Sequence, residues 1–91
     1  MKQYVGVLDG AGEVFSVRIP DLPGCYGGGD SRQAAIGDAM SAAKDWLRRR
    51  ATKGEAPPNP RNVVQLLQAG EINASRNEAA VIIPAGPRSG D

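Results

Sequence analysis

The most informative segment of this chain is Ile19-Pro20-Asp21-Leu22-Pro23-Gly24-Cys25, followed by Gly27-Gly28-Gly29-Asp30-Ser31 and an alanine-rich run. Each proline holds the backbone φ angle near about −65°, and a glycine permits φ values that other residues avoid. Two prolines and a glycine within five residues therefore predict a tight turn. This turn places the preceding strand and the following helix in a defined relation.

The residues before the turn predict a β-hairpin. Residues 4–8 are rich in valine and carry a tyrosine, and residues 14–19 alternate between apolar and polar side chains, as strands with one buried face do. Residues 9–12 are typical of turns and predict a hairpin loop of about four to five residues. Pro20 ends the second strand, and residues 25–27 favour a short third strand at a sheet edge.

A long helix is predicted over residues 32–50, with Asp30 or Ser31 as its N-cap. The segment contains no proline, and its apolar residues recur at spacings of three and four. The resulting stripe is Ala35, Ile36, Ala39, Met40, Ala43, Trp46 and Leu47. We expect the stripe to pack on the sheet, with Trp46 as its largest anchor.

The remaining elements complete a single small domain. Residues 54–60 contain three prolines and predict an extended connector. Residues 61–69 predict a short helix that stops at Gly70, and residues 80–83 predict a strand of the buried type that ends at Pro84.

The predicted fold class is therefore α+β, a small antiparallel sheet with one long helix packed on one face, in the order β-β-β-α-β. We expect the domain to span residues 1–84. Residues 85–91 are rich in glycine, proline, serine and arginine, and we expect them to form a disordered tail.

The composition argues against an enzyme. The 91 residues include no histidine, which removes the usual general base at neutral pH and the commonest metal ligand. The glycine run before Asp30-Ser31 lacks the Lys-Ser/Thr pair of a phosphate-binding loop, so it is interpreted as a flexible turn with a helix cap. We expect no catalytic residue, no metal site and no cofactor.

The single cysteine, Cys25, excludes an internal disulfide and fits a reducing compartment. The sequence shows neither a leader pattern nor a run of about 18 apolar residues, so we expect a soluble, cytoplasmic protein without membrane contact. The net charge of +1 predicts no general attraction to nucleic acid. The basic run Arg48-Arg49-Arg50 with Lys53 is interpreted as a solvated helix end, the alternative being a contact with a partner or nucleic acid.

Three motifs strongly resemble the HicB-like antitoxin family of HicA–HicB toxin–antitoxin systems. They are the proline turn at 20–25, Gly29-Asp30-Ser31, and Gly54-Glu55 with Pro58 and Pro60. The helix matches at Ala35, Ile36, Ala39, Ala43, Trp46 and Leu47. The similarity covers residues 4–60 and continues more loosely to residue 84. It departs from the family at Gln33 and Ala34, where glutamates are usual.

The resemblance implies a partial RNase H-like fold that has lost its catalytic acids. It also implies binding to a small basic HicA-like toxin that cleaves mRNA and whose catalytic histidine the antitoxin makes inaccessible. Many family members carry a C-terminal DNA-binding domain, and this sequence shows no pattern for one. We therefore expect no specific DNA binding by this chain alone.

The leading hypothesis is a toxin-neutralising binding protein whose candidate partner contacts are Asp21, Tyr26 and Asp30. The main alternative is an orphan HicB-like homo-oligomeric module without a cognate toxin, and a third is a vestigial nuclease. We expect a homodimer or a dimer of dimers, because the first and third strands would leave sheet edges unpaired and few aromatic residues fill the core.

Overall fold

A four-stranded antiparallel sheet forms the centre of the protein. The computed structural model describes residues 2–85. Its elements are β1 (Lys2–Ala11), β2 (Val14–Arg18), β3 (Tyr26–Gly29), α1 (Arg32–Thr52), α2 (Val63–Gln68), a 3-10 turn (Ala74–Arg76) and β4 (Ala79–Ala85). The strand order is β3-β2-β1-β4, and α1 packs on one face. The predicted fold class is confirmed.

The hairpin turn is shorter than predicted. β1 and β2 stay paired as far as Ala11 and Val14, so that only Gly12 and Glu13 connect them. Gly12 has a φ of 64°, which suits the first position of a two-residue hairpin turn. Pairing with β2 extends β1 through Asp9 and Gly10, because ladder hydrogen bonds outweigh the weak strand propensity of these residues.

The prediction that the first strand is an edge is wrong. β1 pairs with β2 on one side and with β4 on the other, so the two edges are β3 and β4. Pro84 does not end β4 but lies within it, opposite Gln3. A proline has no N–H to donate, and an edge strand tolerates this because one of its sides is unpaired.

The helix α1 lies almost directly on the backbone of β3. A Cβ atom added to Gly27 would lie 2.3 Å from the backbone nitrogen of Ala39, and one added to Gly29 would lie 2.6 Å from the Cβ of Ala34. The predicted third strand, residues 25–27, in fact runs over Tyr26–Gly29, so Gly28 and Gly29 belong to the strand and not to the flexible turn that was predicted. The missing side chains of Gly27 and Gly29 allow the close approach.

The core between the sheet and α1 contains the larger cluster of buried side chains. Its members are Tyr4, Leu8, Val17, Ile19, Leu22, Cys25, Ala35, Ala39, Ala43, Leu47 and Ile83. Trp46 packs against this cluster but is only half-buried. Its indole N–H donates to the carbonyl oxygen of Pro23 at 3.0 Å. Trp46 therefore attaches α1 to the proline turn, and the sheet contact predicted for it is made mainly by the alanines.

The opposite face of the sheet is covered by a second, smaller cluster that the sequence did not predict. Val5 and Val7 of β1 pack there against Leu66 of α2 and Ile72. Asn62 caps α2, since its side chain accepts the N–H of Gln65 and the Gln65 side chain accepts the N–H of Asn62. The short helix therefore closes part of this face.

The C-terminal part of the chain begins with the end of β4. Ala85 is the last residue of β4, and the rest of the predicted tail, 86–91, lies outside the described residues. Within residues 2–85, neither helix combines the length and the apolar character that crossing a membrane requires.

Candidate partner-binding surface

The proline turn is closed by its own backbone hydrogen bonds. The N–H of Ile19 donates to the carbonyl of Cys25 at 3.3 Å, and the N–H of Leu22 donates to Ile19 at 2.9 Å. The N–H of Cys25 donates to Leu22 at 3.0 Å, while Gly24 adopts a φ of 82°. Leu22 and Cys25 are buried in the core under α1. The turn is thus a rigid connection that fixes where β3 begins.

Asp21 faces inward. Its carboxylate accepts the backbone N–H and the Nε–H of Arg61, both at 2.7 Å, and only 8% of its side chain is exposed. These hydrogen bonds, followed by that of Glu71 at 3.2 Å, raise the pKa of Arg61. Asp21 therefore ties the proline turn to the connector that follows α1, and its carboxylate is already occupied.

A second ion pair joins β2 to the segment before β4. Arg18 of β2 lies 3.1 Å from Glu78, and it also donates to the backbone carbonyl of Glu71. The bond from Arg18, then the backbone N–H of Asn73 at 2.7 Å, lowers the pKa of Glu78. Sequence reasoning missed these contacts, because no local pattern links charges about 60 residues apart.

Tyr26 is the exposed residue nearest the proline turn. It begins β3 opposite Arg18, and 65% of it is accessible to solvent. Beside it lies an open groove of about 230 Å³. The groove is lined by Arg18, Ile19, Pro20, Pro23, Gly24, Cys25, Tyr26 and Glu71. An accessible aromatic ring next to a groove is a common anchor for a protein partner.

Asp30 lies at the other end of β3. Ser31 is the N-cap of α1, because its Oγ accepts the N–H of Ala34 at 3.1 Å, so Asp30 is not used for capping. Gly29 pairs with Phe15 and Phe15 pairs with Gly10, which brings Asp30 to the hairpin end of the sheet. This end carries three exposed carboxylates, those of Asp9, Glu13 and Asp30.

Tyr26 and Asp30 are therefore two ends of one strip and not neighbours. Asp30 follows Tyr26 by four positions, which corresponds to about 13 Å along a strand. Between them, the backbone N–H of Gly28 on the unpaired side of β3 donates to the Asp38 carboxylate at 2.9 Å. We call the strip from Tyr26 to Asp30 the β3 edge surface. It brings together two of the three predicted contact residues and leaves out Asp21.

The groups presented in this region are suited to binding. Cys25 is buried, and burial raises the pKa of its thiol, which opposes formation of the nucleophilic thiolate. In the part of the chain that the structure describes, no three acidic or cysteine side chains converge as metal ligands would. The surface offers an aromatic ring, carboxylates and an accessible strand edge.

Comparison with known proteins agrees with this geometry. Residues 4–83 match the family described as "HicB_like antitoxin of bacterial toxin-antitoxin system". The chain belongs to this family. The resemblance drawn from the proline turn and the connector is thus confirmed. Among curated proteins, none matches this chain by sequence.

Solved structures share the fold. The N-terminal domain of the Burkholderia pseudomallei antitoxin HicB superposes with a TM-score of 0.78 at 18% identity, covering 94% of this chain and 100% of that one. A chain of the HicA3 and HicB3 toxin–antitoxin complex gives 0.72 at 16% identity, with the same coverage. The Burkholderia pseudomallei antitoxin HicB gives 0.69 at 21% identity, and the match spans 92% of this chain and 63% of that longer one. Identities this low show a common fold.

Proposed function

We propose that this chain is an antitoxin that neutralises a small HicA-like toxin by covering the RNA-cleaving site of that toxin. The observation that carries the proposal is the family match over residues 4–83. The similarity to a chain from a HicA3–HicB3 complex supports a toxin of that kind as the partner. The cell compartment would be the cytoplasm, in keeping with the single reduced cysteine.

The β3 edge surface is the contact region that we propose for the toxin. Tyr26 supplies the exposed apolar anchor, and Asp30 with the neighbouring carboxylates supplies negative charge. A basic partner would be steered and oriented by that charge. Asp21 contributes in this proposal as a positioning residue, because its bonds to Arg61 hold the turn from which Tyr26 emerges.

The test is co-purification with the protein encoded by the reading frame adjacent to this gene. Tyr26→Ala should weaken the complex at least about tenfold, as loss of an aromatic anchor does. Lys44→Ala, an exposed change on the outer side of α1, should leave it unchanged. Equal binding by the two variants would remove Tyr26 from the contact, and failure to co-purify would oppose the proposed function itself.

Asp30→Asn should mainly slow association and reduce the salt dependence of binding, because it removes a rim charge. Asp45→Asn is the matched control, since Asp45 is also exposed but lies near the other end of α1. Surface plasmon resonance at two salt concentrations separates the association and dissociation rates. The same effect of both variants would show that only net charge matters.

Self-association is a second part of the proposal. β4 is an unpaired edge, and Ile82 on it is 52% exposed. Pairing of this edge with its equivalent in a second copy would cover both. Light scattering should return about twice the mass of one chain, and Ile82→Lys should shift the result toward the single-chain mass. A single-chain mass for the unsubstituted protein would reject the homodimer.

We also propose that the chain has no catalytic activity and reads no DNA sequence by itself. Histidine is absent from the sequence, and the net charge is +1. Metal-dependent RNA cleavage by the purified protein would contradict the first statement. Selective retention of its own promoter fragment over a scrambled one, at physiological salt, would contradict the second.

A further inference from the structure

The last turns of α1 carry cations that the fold does not use. Arg48 pairs with Asp45 at 3.3 Å, and Arg50 donates to the carbonyl of Ala56 at 2.6 Å. Arg49 and Lys53 are exposed, and within residues 2–85 their side chains make no ion pair or hydrogen bond. These two charges have no structural partner.

Capping does not explain them. The carbonyl of Arg49 accepts the hydroxyl of Thr52 at 2.7 Å, and that of Arg50 accepts the backbone N–H of Lys53 at 3.1 Å. The carbonyl of Ala51 accepts the N–H of Gly54 at 2.9 Å. Other groups thus satisfy these carbonyls. Like charges four residues apart, as at Arg49 and Lys53, also destabilise a helix.

The unused cations border a groove. It measures about 230 Å³ and is lined by Trp46, Arg49, Arg50, Lys53 and Glu55. Three of these five side chains are cationic and one is anionic, so the groove has an excess of positive charge. The guanidinium of Arg50 lies 5.3 Å from the centroid of the Trp46 ring, which holds it in place. The groove is thus bordered by a positioned guanidinium and by two exposed cations.

We infer that this groove, here called the α1 basic groove, binds the phosphate backbone of a nucleic acid without reading its sequence. Arg49 and Lys53 stand one helical turn apart, about 5–6 Å, close enough to contact neighbouring phosphates. Cations beside an aromatic ring are the usual composition of a surface that binds single strands. Glu55 is the single carboxylate that lines the groove, whereas Asp9, Glu13 and Asp30 lie at the hairpin end of the sheet.

The inference is independent of toxin binding, because a basic partner would be repelled from this groove. Its test uses the full chain and a fluorescent single-stranded RNA of about 12 nucleotides. Fluorescence anisotropy should detect binding in low salt, with a slope of log affinity against log salt near −2 for about three contacts. Trp46 is the only tryptophan of the chain, so a change in its emission would locate the RNA in the groove.

The variant Arg49→Gln with Lys53→Gln should weaken binding about tenfold or more and bring the slope to about −0.7, since two contacts are lost. Its melting temperature should change little, because relief of the like-charge repulsion offsets the lost interaction of the two cations with the end of the helix dipole. The matched control, Arg32→Gln with Arg76→Gln, removes the same charge elsewhere and should keep the slope. Equal losses in both variants, no binding in low salt, or displacement of RNA by polyglutamate at equal charge would overturn the inference.

Discussion

The two faces of the sheet are closed in different ways. On the α1 face, the helix backbone touches the strand backbone through Gly27 and Gly29, and buried alanines keep the distance short. On the α2 face, the branched side chains of Val5, Val7 and Ile72 fill the space under Leu66. The α1 face has no space for an additional side-chain atom at Gly27 or Gly29. The α2 face is instead stabilised by the burial of large side chains.

Polar contacts differ between the faces as well. No buried polar or charged residue lies among the described side chains of either core. Ion pairs bound the α2 face, where Arg18 meets Glu78 and Arg61 meets Asp21 and Glu71. Since α2 has only six residues, these ties contribute to holding the connector in place. The α1 face should therefore be destabilised most by substitutions that add side-chain atoms. The α2 face should be destabilised most by substitutions that remove them.

The largest effect is expected from an added methyl group on the α1 face. Gly27→Ala would place a Cβ 2.6 Å from the Cα of Ala39 and 2.7 Å from the carbonyl oxygen of Ala35, and backbone atoms cannot move aside singly. We expect a loss of about 3 kcal/mol or more in the free energy of unfolding, measured in urea.

Gly28→Ala is the matched control in the same strand. Its Cβ would meet only the carbonyl oxygen of Phe15, at 3.6 Å, which is an ordinary contact. The change should stay within about 0.5 kcal/mol. Similar losses at Gly27 and Gly28 would show that glycine is needed for strand backbone freedom and not for the approach of α1.

The next effect comes from removing atoms on the α2 face. Leu66 is fully buried, and Leu66→Ala should cost about 2–3 kcal/mol through lost burial and a residual cavity. Leu67 is 45% exposed on the same short helix, so Leu67→Ala should cost about 0.5 kcal/mol or less. Equal destabilisation by the two substitutions would contradict the packing of Leu66, and not Leu67, against the sheet.

Substitutions of Trp46 measure how much the C-terminal part of α1 contributes to stability. A fully buried tryptophan would lose about 3–5 kcal/mol on truncation, but Trp46 is half-buried, so Trp46→Ala should cost about 1–2 kcal/mol. Trp46→Phe keeps a ring while losing the bond to Pro23, and should cost about 1 kcal/mol. Thermal denaturation measures these losses in the free energy of unfolding. A loss above about 3 kcal/mol for Trp46→Ala would show that Trp46 contributes as a fully buried core residue does.

The smallest effect concerns acid stability on the α2 face. Arg18 lowers the pKa of Glu78 from its usual 4.5. The ionised Glu78 side chain therefore stabilises the folded protein above pH 4.5, and this stabilisation is lost as the pH falls through the lower pKa of the folded state. Glu78→Gln should therefore be less stable at neutral pH and approach the unsubstituted protein in acid. Glu13→Gln is an exposed control, and its free energy of unfolding should depend on pH as that of the unsubstituted protein does.

Local patterns predicted most of the elements. The start of α1 at Arg32 after Ser31, and the stop after α2 at Gly70, whose φ is 77°, follow from residues that act on their own neighbours. The order of the strands was not predicted, because no local residue records which neighbour a strand will pair with. Placing β1 in the centre required the return of β4 from the far end of the chain.

The residues of the candidate site also fall into those that local sequence predicted and those that depend on distant contacts. The sequence marked the proline turn and the strip that contains Tyr26 and Asp30, since prolines, glycines and caps are read locally. It could not show that Asp21 turns inward to Arg61, 40 residues away in sequence. Nor could it show that Arg49 and Lys53 make no ion pair within residues 2–85, because that depends on where the acids of this region lie.

The α+β class, the hairpin and the long helix could be predicted because periodicity, turn residues and capping residues act over a few neighbours, and the family followed from the motifs that resemble it. Which strands are edges, which face α2 covers and which charges point inward became evident only in the folded chain, because they depend on residues far apart in sequence. Contacts such as those of Arg18 with Glu78 and of Gly27 with Ala39 form when distant segments pack together, and they leave no local pattern in the sequence.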